Sequence, residues 1–161
     1  MVTPLTTSDA ADRLRRGASH LSVRRAQRKT RDFRSTTLAF TLRPERMAIA
    51  RLEHDAPLPA WGSRGAFTSV TRTPSELSIV CEDGAVPQDV AAARGWRILM
   101  LEGRIPLTQT GIAADFTAVL ARANVSVFII STFETDFVLL PEKSLDLAIA
   151  ALGDAGHSIS R

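Results

Sequence analysis

The chain has 161 residues, of which 45% are apolar and 23% charged, the balance of an ordinary globular protein. It contains no apolar run near the roughly 18 residues of a membrane span and no apolar secretory signal at its N-terminus. Cys81 is the single cysteine, which excludes an internal disulfide and a cysteine metal cluster and favours a reducing, cytoplasmic setting.

The charge is distributed unevenly. The net charge is +3, but residues 1–36 hold nine Lys/Arg and three Asp, so this segment carries +6 and the remainder −3. Because the segment has few large apolar side chains, we expect a disordered basic tail. Such a tail can contact nucleic acid by charge alone. A transit segment, a solvated extension and a start codon placed too early are together the favoured explanations.

Order is predicted to begin near Thr37 with β-structure. Alternating apolar residues and turn signals predict the following elements: strands over 36–42, 47–52, 66–72 and 77–81, and a short helix over 86–94 that ends at Gly95. The first two strands form a hairpin, because Arg-Pro-Glu-Arg at 43–46 has the composition of a turn. Cys81 lies at the end of an apolar strand and is predicted to be a core residue.

The rest of the chain follows a β-α-β-β-α-β order. The predicted elements are a strand over 96–102, a helix over 111–123, strands over 125–130 and 138–140, a helix from Pro141 to Gly156, and an edge strand over 157–160. This order closes into a ferredoxin-like, four-stranded antiparallel sheet with two helices on one face. We therefore predict an α+β protein with a basic tail (1–36), a β-rich N-terminal unit (37–95) and a complete C-terminal unit (96–160).

A polar corner separates two of these buried strands. Residues 131–137 read Ser-Thr-Phe-Glu-Thr-Asp-Phe and suit a tight strand-to-strand connection. Asp136 needs a partner there, because burying an unpaired charge is expensive. Two interpretations stay open: Asp136 caps the backbone of its own turn, or the corner holds a small cationic or zwitterionic ligand.

Three stretches of this sequence resemble the ACT domain family. They are residues 67–81, the pair Gly111–Ile112 at a helix start, and residues 129–136, so the resemblance covers about 37–160. It is strongest to the branch that pairs a complete ACT unit with an incomplete one and that includes amino-acid-sensing proteins. The resemblance implies a regulatory domain that binds a free amino acid where two ACT-like units meet.

The resemblance also implies which residues bind the ligand. They come from the first unit, the loop and start of a helix, and the polar corner: Ser69, Val70, Gln109, Thr110, Gly111, Ile112, Thr132, Phe133, Glu134 and Asp136. Free N–H groups at a helix start suit an α-carboxylate, and Asp136 suits an α-ammonium group. Relatives that prefer basic ligands can present a carboxylate in the loop before the glycine, where this chain has the neutral Gln109.

The sequence carries no signature of an enzyme. It has no Gly-rich phosphate loop, no metal-spaced His/Cys group and no nucleophile with an identifiable base, so we predict neither catalysis, cofactor nor metal. The predicted partners are a free amino acid and further copies of the chain, in a homodimer or a higher homo-oligomer. No membrane contact is predicted, and nucleic acid only through the tail. The alternatives are a nucleic-acid-associated protein and a purely structural dimerisation protein.

Overall fold

One seven-stranded sheet runs through residues 37–161, the part of the chain that this computed structural model describes. The basic tail predicted for 1–36, and the nucleic-acid contact predicted for it, lie outside the described residues. The strands and helices are β1 (Ala39–Leu52), β2 (Ser69–Arg72), β3 (Leu77–Glu82), β4 (Ala92–Leu101), α1 (Ile112–Arg122), β5 (Phe128–Ser131), β6 (Asp136–Pro141), α2 (Leu145–Asp154) and β7 (Ser158–Ser160). The strand order is β2-β3-β1-β4-β6-β5, and β7 pairs with β1 outside this path.

β1 is a single strand of 14 residues, so the predicted hairpin with a turn at 43–46 is wrong. Met47–Leu52 pairs with β3, while β4 pairs with both halves of β1. The register between β1 and β4 shifts between Leu42 and Arg46. Pro44 lies within this shift, where its missing N–H costs no ladder hydrogen bond. Pairing with the long strand β4 therefore overrides the local turn preference.

The predicted helix over 86–94 is also wrong, because Ala92 already belongs to β4. Arg94 supplies hydrogen bonds that a helix would otherwise have made. Its guanidinium donates to the carbonyl oxygens of Asp83 (3.0 Å), Val86 (3.0 Å) and Pro87 (2.7 Å). It also pairs with the Asp83 carboxylate at 2.8 Å. A side chain thus holds this loop in an irregular conformation.

The C-terminal half confirms the predicted β-α-β-β-α-β order, as β4-α1-β5-β6-α2-β7. The predicted four-stranded closure is wrong, because β7 pairs in parallel with Ala39–Thr41 of β1. On its other edge the same part of β1 pairs with residues 99–101 of β4. The start of β1 therefore occupies the place between β4 and β7, and the whole sheet is continuous.

Apolar side chains pack on both faces of this sheet. Both helices cover one face, where the largest core cluster includes Phe40, Leu99, Phe116, Leu120, Val138, Leu140 and Leu152. The opposite face carries Met47, Val80, Ile98 and Leu139, with Phe67 and Phe137 in contact at 4.6 Å between ring centroids. Cys81 is fully buried in a third cluster, which confirms it as a core residue. Burial, with the negative charges of Glu82 and Asp83, raises the pKa of its thiol. Within 37–161, no helix combines the length and apolarity needed to cross a membrane.

His157 joins the end of α2 to the start of β1. It is 6% exposed, and its Nδ1 accepts the backbone N–H of Leu38 at 3.2 Å. Its ring also lies edge-on to Phe40, with 6.2 Å between ring centroids. Burial lowers the pKa of His157, although the negative charge of Asp115 partly opposes this shift. Only the neutral ring can accept the Leu38 N–H, because both nitrogens of a protonated imidazole are donors.

We expect acid to destabilise the fold through His157. Since its pKa is lower in the folded protein, the unfolded chain takes up the proton first, and stability falls as the pH drops below the ordinary value of about 6.5. In His157→Gln the side-chain oxygen still accepts the Leu38 N–H but does not titrate, so the loss between pH 7.5 and 5 should shrink by about 1 kcal/mol. Urea unfolding at both pH values measures this. His54→Gln, at an exposed histidine, is the control and should behave as wild type. Parallel pH profiles for wild type and His157→Gln would contradict the expectation.

Candidate functional site

A cavity of about 260 Å³ opens between the start of α1 and the corner that joins β5 to β6. Three segments form its walls: the loop before α1, the first residues of α1, and the corner. The lining residues are Ile105, Pro106, Leu107, Gln109, Gly111, Ile112, Ala113, Ser131, Thr132, Glu134, Thr135 and Asp136. We call this space the corner cavity.

The structure brings six of the ten predicted ligand-binding residues into the lining of the corner cavity. These six are Gln109, Gly111, Ile112, Thr132, Glu134 and Asp136. Thr110 lies in the same loop but outside the lining. Phe133, at the tip of the corner, is 68% exposed and lines two neighbouring cavities instead.

The remaining two predicted residues, Ser69 and Val70, lie on β2. Ser69 lines a separate cavity of about 240 Å³, which shares Ser131 with the corner cavity. Val70 is 43% exposed and lines neither of these two cavities. Within one chain, the β2 residues therefore do not take part in the corner cavity.

Sequence reasoning did not single out the apolar wall of the corner cavity, Ile105–Leu107. These residues follow a strand and carry no polar or glycine signal that would mark a site. Ser131 and Thr135 were also left out of the predicted set. Both belong to the polar stretch 131–137, so that stretch was the available signal for them.

Threonine side chains hold the corner rigid. The backbone N–H and hydroxyl of Thr132 both donate to the carbonyl oxygen of Thr135, at 2.9 and 2.8 Å. The Thr135 N–H donates back to the Thr132 hydroxyl at 3.2 Å. The Thr135 hydroxyl donates to the carbonyl oxygen of Leu101, the last residue of β4, at 2.6 Å. Thr132 and Thr135, and not Asp136, thus make the hydrogen bonds of this turn.

The loop before α1 is attached to the same corner. The Ile105 N–H donates to the carbonyl oxygen of Glu134 at 2.8 Å, and Gln109 N–H donates to the carbonyl oxygen of Pro106 at 2.8 Å. Gly111 then enters the helix with φ of +96°, a conformation that favours glycine. Behind it, the first N–H groups of α1 have no acceptor within the helix. The opposing walls of the cavity are therefore linked, and one of them presents free donors.

The charge of the lining is negative. It contains two carboxylates, those of Glu134 and Asp136, and no Lys, Arg or His. Among residues 37–161, neither carboxylate takes part in an ion pair. The described residues also hold no cluster of three or more His, Cys, Asp or Glu side chains placed to bind a metal ion. The arrangement suits a small organic ligand with a carboxylate for the helix start and a cation for the corner.

Together, the fold and the corner cavity define an α+β domain of the ACT type. A family model described as "ACT domain" matches residues 91–154. A second family model, which describes an N-terminal domain, matches residues 45–89. The chain belongs to the ACT domain family.

Three proteins illustrate the likeness. Protein Atu0741 from Agobacterium tumefaciens is 34% identical, with a TM-score of 0.74 over 77% of this chain and 92% of that one. Cytosolic arginine sensor for mTORC1 subunit 1 from Rattus norvegicus is 31% identical over 56% of this chain and 30% of its own length. The ligand-free regulatory subunit of aspartate kinase from Thermus thermophilus shares the fold, at 14% identity and a TM-score of 0.54, over 74% and 99% of the two chains. The chain spans less than two thirds of the curated relatives that it matches.

We expect Thr135→Val to loosen the corner. Valine keeps the branched shape but leaves the Leu101 carbonyl without its hydroxyl donor, which should lower the free energy of unfolding by about 1 kcal/mol. Chemical denaturation of the two proteins measures this difference. Thr108→Val is the matched control, because Thr108 is exposed and makes no hydrogen bond within 37–161. An equal effect of both substitutions would show that the Thr135 hydroxyl does not stabilise the corner.

Proposed function

We propose that this protein is a non-enzymatic regulatory domain that binds a free amino acid in the corner cavity. The observation that carries the proposal is the combination in one small cavity of free helix-start N–H groups and a carboxylate without an ion-pair partner among the described residues. An α-amino acid carries the two complementary charges on adjacent atoms. The names of the relatives, a sensor and a regulatory subunit, agree with a regulatory role.

The start of α1 is the proposed site for the α-carboxylate. Backbone N–H groups and the positive end of the helix dipole both favour an anion there. The absence of a side chain at Gly111 lets the ligand approach the backbone closely. Gln109 and Thr110, in the loop just before, are proposed to donate further hydrogen bonds.

The corner is the proposed site for the α-ammonium group. Asp136 is half-buried at the first position of β6, opposite Ser131 in the ladder. Its turn is already held by Thr132 and Thr135, so its carboxylate remains available for a ligand. A charge-assisted hydrogen bond in such a partly desolvated place contributes more than a neutral one.

A second copy of the chain is proposed to complete the site. Ser69 and Val70 lie outside the corner cavity of their own chain, so they reach a bound ligand only if β2 of another copy faces the cavity. Val70 and Phe133 are both large apolar side chains that the single chain leaves exposed. A symmetric dimer that places one copy's β2 over the other's corner covers both and makes two equivalent sites.

We also propose that residues 37–95 are an incomplete, ACT-like unit beside the complete unit of 96–160. Separate family models for 45–89 and 91–154 support this division. The cytoplasmic setting that the single cysteine favours stays a prediction, with which the word "cytosolic" in the name of one relative agrees.

Asp136→Asn tests the site. The amide keeps the shape but loses the charge, so affinity for the amino acid found by a thermal-shift screen of the twenty standard ones should fall ten- to a hundredfold, roughly 1.5–3 kcal/mol. Calorimetry on wild type and variant measures this fall. Asp89→Asn, an exposed aspartate outside the cavity, is the control and should bind as wild type. Unchanged affinity in Asp136→Asn would disprove this placement of the ammonium group.

Light scattering tests the second copy. We expect the full chain to be a dimer or larger at micromolar concentration, and Val70→Asp to shift it toward monomer and weaken amino-acid binding together, because a charge would be buried at the contact. Leu147→Asp, at an equally exposed apolar residue on α2, should change neither property. A wild-type monomer at high micromolar concentration would contradict the proposed interface.

A further inference from the structure

The corner cavity has one more negative charge than a neutral amino acid can balance. Its lining holds Glu134 and Asp136, and no basic residue. The α-ammonium group of a ligand balances one carboxylate, while the α-carboxylate is balanced by the helix start. One carboxylate of the lining is then left without a counter-charge beside a bound ligand, which excludes water from it.

The protein itself does not supply this counter-charge within the described residues. Arg104 is the one basic residue of the two loops, 103–110 and 131–136, that form the cavity. Its guanidinium lies over the ring of Phe133, 5.6 Å from the centroid, and it lines a neighbouring cavity instead. Neither Glu134 nor Asp136 makes an ion pair within 37–161.

The two carboxylates differ in position. Asp136 is half-buried at the start of β6, whereas Glu134 is exposed in the turn, two residues away. The apolar wall Ile105–Leu107 is attached to the Glu134 backbone through the hydrogen bond from Ile105 N–H. A ligand with its head group at α1 and Asp136 can therefore lay methylene groups along this wall and end at Glu134.

We infer that the ligand of the corner cavity is a basic amino acid, whose side-chain cation is bound by Glu134. The inference rests on the proposed function and specifies its substrate class. The neutral Gln109 does not count against a basic ligand, because the corner supplies the second carboxylate in place of the loop before the helix.

Pairs of ligands that differ in one charge test the inference on the full chain. Arginine should bind roughly fivefold to tenfold tighter than citrulline, and lysine tighter than norleucine by a similar factor, with the preference reduced by added salt. Cadaverine keeps two ammonium groups but lacks the carboxylate, and should bind at least as weakly as the neutral analogues. Calorimetry at low ionic strength measures all five ligands.

Glu134→Gln assigns the preference to one residue. We expect the ratio of affinities for arginine and citrulline, or for lysine and norleucine, to approach one, while the neutral ligands bind as they do to wild type. Glu53→Gln is the control, since Glu53 is exposed and outside the cavity, and it should retain the wild-type ratio.

The outcomes separate this inference from the proposed function. Tighter binding of neutral than of basic amino acids, or a ratio unchanged by Glu134→Gln, would overturn the inference and leave amino-acid binding standing. Cadaverine binding as tightly as lysine would overturn it in favour of a diamine site. If none of the twenty amino acids binds, both the inference and the proposed function fail.

Discussion

The hydrogen bonding of β1 is the constraint on which the rest of the structure depends. This strand pairs with β4 along one edge and with β3 and β7 along the other. Each backbone group left unpaired in such a buried strand would cost about 1–3 kcal/mol. The three partner strands must therefore be present together, and a chain that reads as two units in sequence becomes one sheet. The bulge at Pro44 allows one strand to serve both halves.

The position of the corner cavity follows from β4. This strand is held between β1 and β6, and the loop that leads to α1 leaves from its end at Leu101. The opposite wall returns to the same point, because the Thr135 hydroxyl donates to the Leu101 carbonyl. The hydrogen bond from Ile105 to Glu134 closes the ring of contacts. A ligand thus meets walls that are already positioned, which reduces the ordering entropy of binding.

Charge pairing in this protein separates structural carboxylates from those of the site. Asp83 is engaged by Arg94 and by the N–H of Gly95, and Glu142 is engaged by Arg46 at 2.7 Å. These acids fix irregular backbone and connect elements of the sheet. Glu134 and Asp136 lie in an equally ordered segment but have no such partner within the described residues. Because paired acids elsewhere show that this chain provides arginines where it needs them, the unpaired acids at the corner point to a cation from outside.

The sequence by itself determined the elements whose signals are local. The helix α1 was predicted because Ile112, Phe116 and Leu120 recur at helical spacing, and Asp136 attracted attention as a charge beside an apolar run. Tertiary structure alone decided which strands pair: that 43–46 continues β1, that Arg94 replaces a helix over 86–94, and that β7 joins β1. It also decided that Ile105–Leu107 forms a cavity wall, while Ser69 lies in another cavity. The reason is physical, since side-chain periodicity reflects the burial of one element, whereas strand pairing and cavities depend on hydrogen bonds between residues distant in sequence.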